Sequence, residues 1–161
     1  MSYEVSFVDL QEQPAAVVHG EVPHDGIADF LGPAFGEVTG AAADQHLPVV
    51  GPPIGRYRPL PDGSWDVEAG FPVGGPLAPE GRVLPTTLPG GRTARTVHTG
   101  AYAGVGAAYG AILDWLTDVG YVADGVPWET YLDAPDVPEP RTEVFVPCHH
   151  ARPHETSETD G

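Results

Sequence analysis

The chain has 161 residues, enough for one compact domain with its own core. Its 23 acidic residues face seven basic ones, all arginine, and the formal net charge of −16 repels phosphate backbones and anionic membranes while favouring cationic small molecules. A single cysteine, Cys148, excludes an intrachain disulfide framework, and no apolar run approaches the ~18 residues of a membrane span or follows a basic leader, so the sequence reads as soluble and cytoplasmic.

Residues 3–10 alternate as a first strand, 11–13 turn the chain, and Pro14 leads into a second strand over 15–21. The 23–26 segment breaks it and offers Asp25 as a helix N-cap. Ile27, Phe30, Leu31, Ala34, Phe35 and Val38 then recur at helical spacing, which predicts an amphipathic helix to about Ala43, blemished by Gly32-Pro33. A proline-rich loop over 48–53 precedes a strand over 54–59. Pro61-Asp62-Gly63 is hairpin-turn chemistry, and 65–73 is the returning strand. Residues 74–81 form a linker rich in glycine and proline.

The second half opens with Val83, Leu84, Thr86 and Leu88, and Pro89-Gly90-Gly91 turns into a strand over 93–99. Gly100-Ala101-Tyr102 leads into a clearer helix, with Val105, Ala108, Tyr109, Ile112, Leu113, Leu116 and Val119 on one stripe and Gly120 as its cap. Residues 121–126 loop back to a strand over 128–132, a turn at 134–138 and a last strand over 141–147. Residues 148–161 read as a polar, disordered tail.

The two halves, about 3–73 and 82–147 of a single domain over 1–147, repeat each other. Gly51-Pro52-Pro53-Ile54-Gly55-Arg56-Tyr57 aligns with Gly125-Val126-Pro127-Trp128-Glu129-Thr130-Tyr131 at a constant separation of 74, and Val18-His19 aligns with Val97-His98 at 79. Each half reads as strand, helix, strand, hairpin, strand. The fold class this predicts is α+β, two βαββ modules related by a pseudo-twofold axis, with two main helices on antiparallel strands and a ligand cleft between the lobes. In that arrangement Gly55 is expected to offer open space where the other half places the Glu129 carboxylate.

Strand alternation sends Glu129 and Tyr131 to one face and Trp128 and Thr130 to the other. If the Glu129 face is buried, the charge needs a partner or a proton. No lysine exists to serve, which leaves arginine, a proton, water or a cationic ligand. The alternative is an edge strand with Glu129 in solvent.

The order of motifs resembles the GyrI-like small-molecule-binding domain, the effector-binding domain of AraC-type and multidrug-responsive regulators. The matching stretches are Gly51-Pro52-Pro53-Ile54-Gly55-Arg56-Tyr57, Asp66-Val67-Glu68-Ala69-Gly70-Phe71-Pro72-Val73, Leu88-Pro89-Gly90-Gly91-Arg92-Thr93-Ala94, His98-Thr99-Gly100-Ala101-Tyr102, Trp115-Leu116-Thr117-Asp118-Val119-Gly120-Tyr121 and Trp128-Glu129-Thr130-Tyr131. The resemblance implies duplicated SHS2-type modules with the ligand between them and Glu129 in the pocket. It implies a bacterial protein that binds drugs or toxins in sequestration or in transcription regulation. Because the domain begins at the chain's start, no helix-turn-helix and no direct nucleic-acid binding is expected. Stand-alone relatives imply two alternatives. One is a hydrolase of strained cyclopropanoid genotoxins using Glu129 and Tyr102, and the other a modulator of a protein partner such as gyrase.

Glu129 is therefore the expected polar anchor, able to hold a lipophilic cation with help from aromatic faces. Tyr57, Tyr131 and Tyr102 are candidates to flank it, and Trp65, Phe71 and Trp128 read either as ligand platforms or as core. Trp115 reads as core. His19 and His98 occupy equivalent positions but supply too few ligands for a closed metal site. Cys148, His149, His150 and His154 belong to the solvated tail reading, and Asp66 and Glu68 to a solvated strand face. No metal and no cofactor are expected, since phosphate loop, dinucleotide fingerprint and serine elbow are all missing from the sequence.

Overall fold

Two antiparallel four-strand groups join at their centre to make one sheet, and two helices cover one of its faces. The computed structural model describes residues 3–134 and 136–151. In chain order the elements are β1 (Ser6–Leu10), β2 (Gln13–Val22), α1 (Ile27–Asp44), β3 (Ile54–Pro59), β4 (Trp65–Pro72), β5 (Val83–Leu88), β6 (Gly91–Thr99), α2 (Val105–Val119), β7 (Tyr121–Ala123), β8 (Trp128–Tyr131) and β9 (Arg141–His150). The α+β class and the duplicated, pseudo-twofold organisation are those expected.

The strand order is β1-β6-β9-β8-β3-β4-β2-β5, with the short β7 on β9. Read from the centre outward, β3, β4 and β2 mirror β8, β9 and β6. The outermost strands are exchanged. β1 of the first half pairs with β6, and β5 of the second half pairs with β2. The expected βαββ module is present in each half, as β2-α1-β3-β4 and as β6-α2-β8-β9 with the short β7 added, and each half carries one further leading strand, β1 or β5, that completes the other half's sheet.

Through the first strands and the helices the repeat runs at a separation of 78, which relates Ile27 to Val105 at the two helix starts. At that register His98 corresponds to Gly20, not to His19. Ala16 and Val18 face the helices on β2, and Ala94 faces them on β6. A one-residue shift moves a strand side chain to the opposite face. His19 accordingly lies on the uncovered face and pairs with Asp66, while His98 is buried under α2.

Under α1, Ala16, Val18, Ala69, Val73 and Val83 pack against Ala34, Val38, Ala41 and Ala42. Under α2, Ala94, Val144, Val146 and Cys148 pack against Ala108, Ile112 and Leu116. A third cluster sits on the other face, where Ala15, Val17, Ile54, Leu88 and Trp128 meet Leu10 and Phe145. The central strands are therefore buried on both faces. Neither helix is long and apolar enough to cross a membrane, among the described residues.

Three local expectations change. Asp25 does not cap α1. It lies in a short 3-10 turn over His24–Gly26, and Gly26 takes the N-cap position with no side-chain bond. Pro33 stays inside the helix on its exposed face, where water can serve the Asp29 carbonyl that loses its amide partner. The last strand does not stop at Pro147. Cys148, His149 and His150 extend β9 and pair with β7, with Cys148 buried in the α2 core. Residues 152–161, including His154, lie outside the described residues.

Candidate functional site

The centre of the sheet is the contact between β3 and β8, where Gly55 and Glu129 are directly paired. Alternation puts Gly55, Tyr57, Glu129 and Tyr131 on the helix-covered face. Arg56 goes to the other face, where it meets Glu68 at 2.6 Å and Thr86 at 2.8 Å. Glu129 is only 2% exposed. None of the ion pairs among the described residues includes it.

Phenols hold the carboxylate instead. Tyr102 and Tyr131 donate to Oε1 at 2.7 and 2.9 Å, and Tyr109 donates to Oε2 at 2.6 Å. The Tyr131 hydroxyl also lies 2.6 Å from that of Tyr57. Tyr131 has one hydrogen, and the carboxylate takes it. Tyr57 is therefore the donor in the second contact, and the chain of bonds runs from Tyr57 through Tyr131 to Glu129. Three donors on one carboxylate fill most of its roughly four acceptor positions.

Each donor comes from a different element. Tyr131 lies two residues beyond Glu129 on β8. Tyr109 projects from the second turn of α2. Tyr102 sits in a 3-10 turn, Tyr102–Gly104, that starts that helix. Tyr102 is the solvent side of the cluster, with 41% of its surface exposed. Phe35 of α1 adds an edge contact to Tyr131 at 6.3 Å and another to Phe71 at 5.6 Å, and Tyr102 meets Tyr131 edge-on at 6.1 Å. Carboxylate and phenols are thus set in an aromatic wall.

Burial pushes the Glu129 pKa upward. The hydroxyls of Tyr109, Tyr102 and Tyr131 pull it back, but burial is the largest effect. The tyrosines shift the same way. Tyr57 is pushed up to about 12, mainly by burial. Tyr102, Tyr109 and Tyr131 are raised by burial first and the Glu129 charge second. All four phenols therefore keep their protons at neutral pH and remain donors.

Gly55 does not leave open space opposite the carboxylate. A Cβ there would lie 2.5 Å from the Tyr131 hydroxyl and 3.0 Å from that of Tyr57. The gap left by the missing side chain is filled by the phenol pair.

Of the residues singled out in the sequence, Glu129, Tyr131, Tyr57 and Tyr102 meet in one cluster, and Phe71 reaches it through Phe35. Trp128 does not join them. It is 3% exposed on the opposite face, stacked on Phe145 at 5.1 Å, and is core. Trp65 is half-buried at the start of β4, with no hydrogen bond or ring contact to the cluster among the described residues. Asp66 and Glu68 are not free carboxylates, since they pair with His19 and Arg56. His149 pairs with Asp124 at 2.7 Å, and among the described residues no group of three or more histidine, cysteine or acidic side chains is placed to hold a metal.

Sequence reasoning missed Tyr109 and Phe35. Both are absorbed into helical stripes that read as core. The available signal is spacing, because Tyr102 and Tyr109 are seven residues apart, two helical turns, and so share a face.

The profile of the GyrI-like small molecule binding domain matches residues 3–149. A comparison with curated protein sequences finds no match. Among solved structures, the C-terminal domain of EcmrR aligns with a TM-score of 0.79 at 18% identity, over 94% of this chain and 100% of that one. The longer EcmrR chain in its complex with DNA aligns at 0.78 and 21% identity over 94% of this chain, which spans 59% of that one. SAV2435, solved bound to tetraphenylphosphonium, aligns at 0.59 and 17% identity, over 96% of this chain and 98% of that one. These likenesses are of fold.

Proposed function

The chain belongs to the GyrI-like small-molecule-binding domain family, and from that premise we propose that it binds a lipophilic cation against the tyrosine cluster, with Glu129 as the anchoring charge. The role is sequestration or sensing. The observation that carries this reading is a carboxylate 2% exposed, with no cationic side chain paired to it among the described residues and three phenols bound to it. Taking such a charge out of water is costly unless something positive completes it. Tyrosine faces supply the remaining attraction, roughly 0.5–2 kcal/mol for each cation–π contact. Tyr102 is the one member with substantial exposure, so a ligand would enter by displacing its ring. The acidic surface would raise the local concentration of cations. The neighbour solved with tetraphenylphosphonium suggests that ion as the probe.

The test is calorimetric titration of tetraphenylphosphonium into the wild type and Glu129→Gln, with circular dichroism as a check on folding. Binding that weakens at least tenfold in the folded variant supports the anchor role. Equal affinity in both overturns it.

One observation favours a second reading. Tyr102 and Glu129 form an acid–carboxylate pair 2.7 Å apart at the solvent side of the cluster. A buried carboxylate of raised pKa can act as general base or acid. A hydrolase of strained electrophiles would use the pair to activate water. Incubation with a cyclopropane-bearing electrophile, followed by mass spectrometry, separates the readings, because a pure binder returns the compound unchanged.

A further inference from the structure

His98 is the penultimate residue of β6, beneath the turn that carries Tyr102, and it is 7% exposed. Its Nε2 lies 2.8 Å from the Ala101 carbonyl oxygen. A carbonyl oxygen only accepts, so Nε2 carries the hydrogen. In the neutral ring Nδ1 is then the acceptor, and the Tyr3 hydroxyl donates to it at 2.8 Å. The Ala101 oxygen takes a second bond, from the Gly104 amide at 3.0 Å, and the Gly100 amide donates to Pro140 at 2.9 Å. Gly104 packs closely on the ring, since a Cβ there would stand 3.1 Å from His98 Cε1. The residue that follows Ala101 is Tyr102, whose hydroxyl closes on Glu129. An unbroken set of contacts therefore runs from Tyr3, through the His98 ring and the Ala101 carbonyl, to the phenol over the carboxylate.

We propose that His98 is a positioning residue of the ligand site, coupling the segment at Tyr3 to the Ala101 turn and so setting how firmly Tyr102 closes over Glu129. The proposal rests on the reading of Glu129 as the ligand anchor. With both ring nitrogens bonded, the imidazole has one orientation and the Ala101 carbonyl is held down. Without the Tyr3 bond the ring is free to tilt, the turn loosens, and the closed position of Tyr102 loses population. A ligand that enters by displacing Tyr102 then competes against a weaker closed state. A histidine that merely fills space would affect folding but not this competition.

The test is a cycle of four proteins, wild type, Tyr3→Phe, Tyr102→Phe and the double variant, titrated with tetraphenylphosphonium. Tyr3→Phe should lower Kd roughly threefold where Tyr102 keeps its hydroxyl, an effect the size of one weakened hydrogen bond. It should leave Kd unchanged in the Tyr102→Phe background, where there is no phenol to release. No change in either background, or the same change in both, overturns the coupling. A ligand-free arm uses protein labelled with carbon-13 at the tyrosine ζ position. The Tyr102 signal should shift in Tyr3→Phe, and an unmoved signal overturns the proposal. If the wild type does not bind the cation, the anchor reading of Glu129 fails on its own, and the labelled signal still decides whether Tyr3 and Tyr102 are coupled.

Discussion

The hydroxyls of Tyr57 and Tyr131 lie 2.6 Å apart, and the two residues are each other's repeat mates, 74 positions apart in the chain. Gly55 and Glu129 bear the same relation and are paired across β3 and β8. The pseudo-twofold axis therefore passes through the site itself. On one side stands a glycine, on the other a carboxylate. The Tyr109 position in α2 corresponds to Leu31 in α1, and the Tyr102 position to His24. Polar chemistry has been concentrated in the second half of a symmetric frame. The first half supplies the space, the Tyr57 hydroxyl and the Phe35 wall.

Gly55→Ala should strike this arrangement directly. The added methyl would need the place now held by the two hydroxyls, 2.5 and 3.0 Å away. Tyr57 and Tyr131 are packed on β3 and β8 and give way poorly. Overpacking of this kind costs about 1–3 kcal/mol. An unfolding free energy lowered by that amount, read in urea as a lower midpoint at an unchanged slope, is the expected result. An unshifted midpoint would mean that the phenol pair relaxes freely.

The pH dependence of stability should carry the mark of Glu129. Its folded pKa is raised above the ordinary 4.5 by burial. The folded state therefore binds this proton more tightly than the unfolded chain. The stability it contributes is full below the ordinary value and is lost as the pH climbs toward the raised folded value. Glu129→Gln removes the titration but keeps the shape. Its amide oxygen can accept from Tyr102 and Tyr131, and its amide nitrogen can donate to the Tyr109 oxygen. The stability difference, wild type minus variant, should fall as pH rises above the ordinary carboxylate value of 4.5. Denaturant titrations at a series of pH values measure it, and a flat difference would contradict the raised pKa.

The central pair was legible, because the Gly55 and Glu129 segments share glycine, proline and tyrosine at one separation. The common face of Glu129 and Tyr131 followed from strand alternation. The exchange of β1 and β5 was not legible, since local pattern identifies a strand but not its partner. The histidine alignment was off by one residue, and in a strand that reverses the face. Trp128 was ambiguous because β8 is buried on both sides, where alternation no longer separates core from surface. Residues 148–150 read as tail because Cys-His-His lacks an apolar pattern, yet backbone pairing with β7 needs none. Tyr109 looked like core because periodicity places a ring without saying where its hydroxyl goes.

Tyr102→Phe should tighten cation binding rather than weaken it. The wild-type phenol occupies Oε1 of Glu129 at 2.7 Å from the solvent side. Removing that hydroxyl leaves the carboxylate less satisfied in the empty protein, and the ring still offers its face to a cation. A hydrogen bond to a charged group is worth about 1.5–3 kcal/mol, and water reaching this exposed edge replaces much of it. The gain should be roughly fivefold in the Kd for tetraphenylphosphonium by calorimetry, on the order of 1 kcal/mol. A weaker affinity would assign the hydroxyl to the ligand instead of to the closed state.

Trp128→Ala offers the complementary outcome. The indole packs with Ala15, Val17, Ile54 and Leu88 and stacks on Phe145, across the sheet from the phenols. Truncating a buried aromatic costs about 3–5 kcal/mol. The melting temperature should drop accordingly. The cation affinity of the protein that remains folded, measured well below the transition, should stay within about twofold of wild type, since sites without shared partners add nearly independently. The expectation is sharp because Trp128 is the immediate chain neighbour of Glu129. If its loss changed affinity strongly in folded protein, the two faces of β8 would be mechanically linked, and the site would extend through the sheet to the Arg56 side.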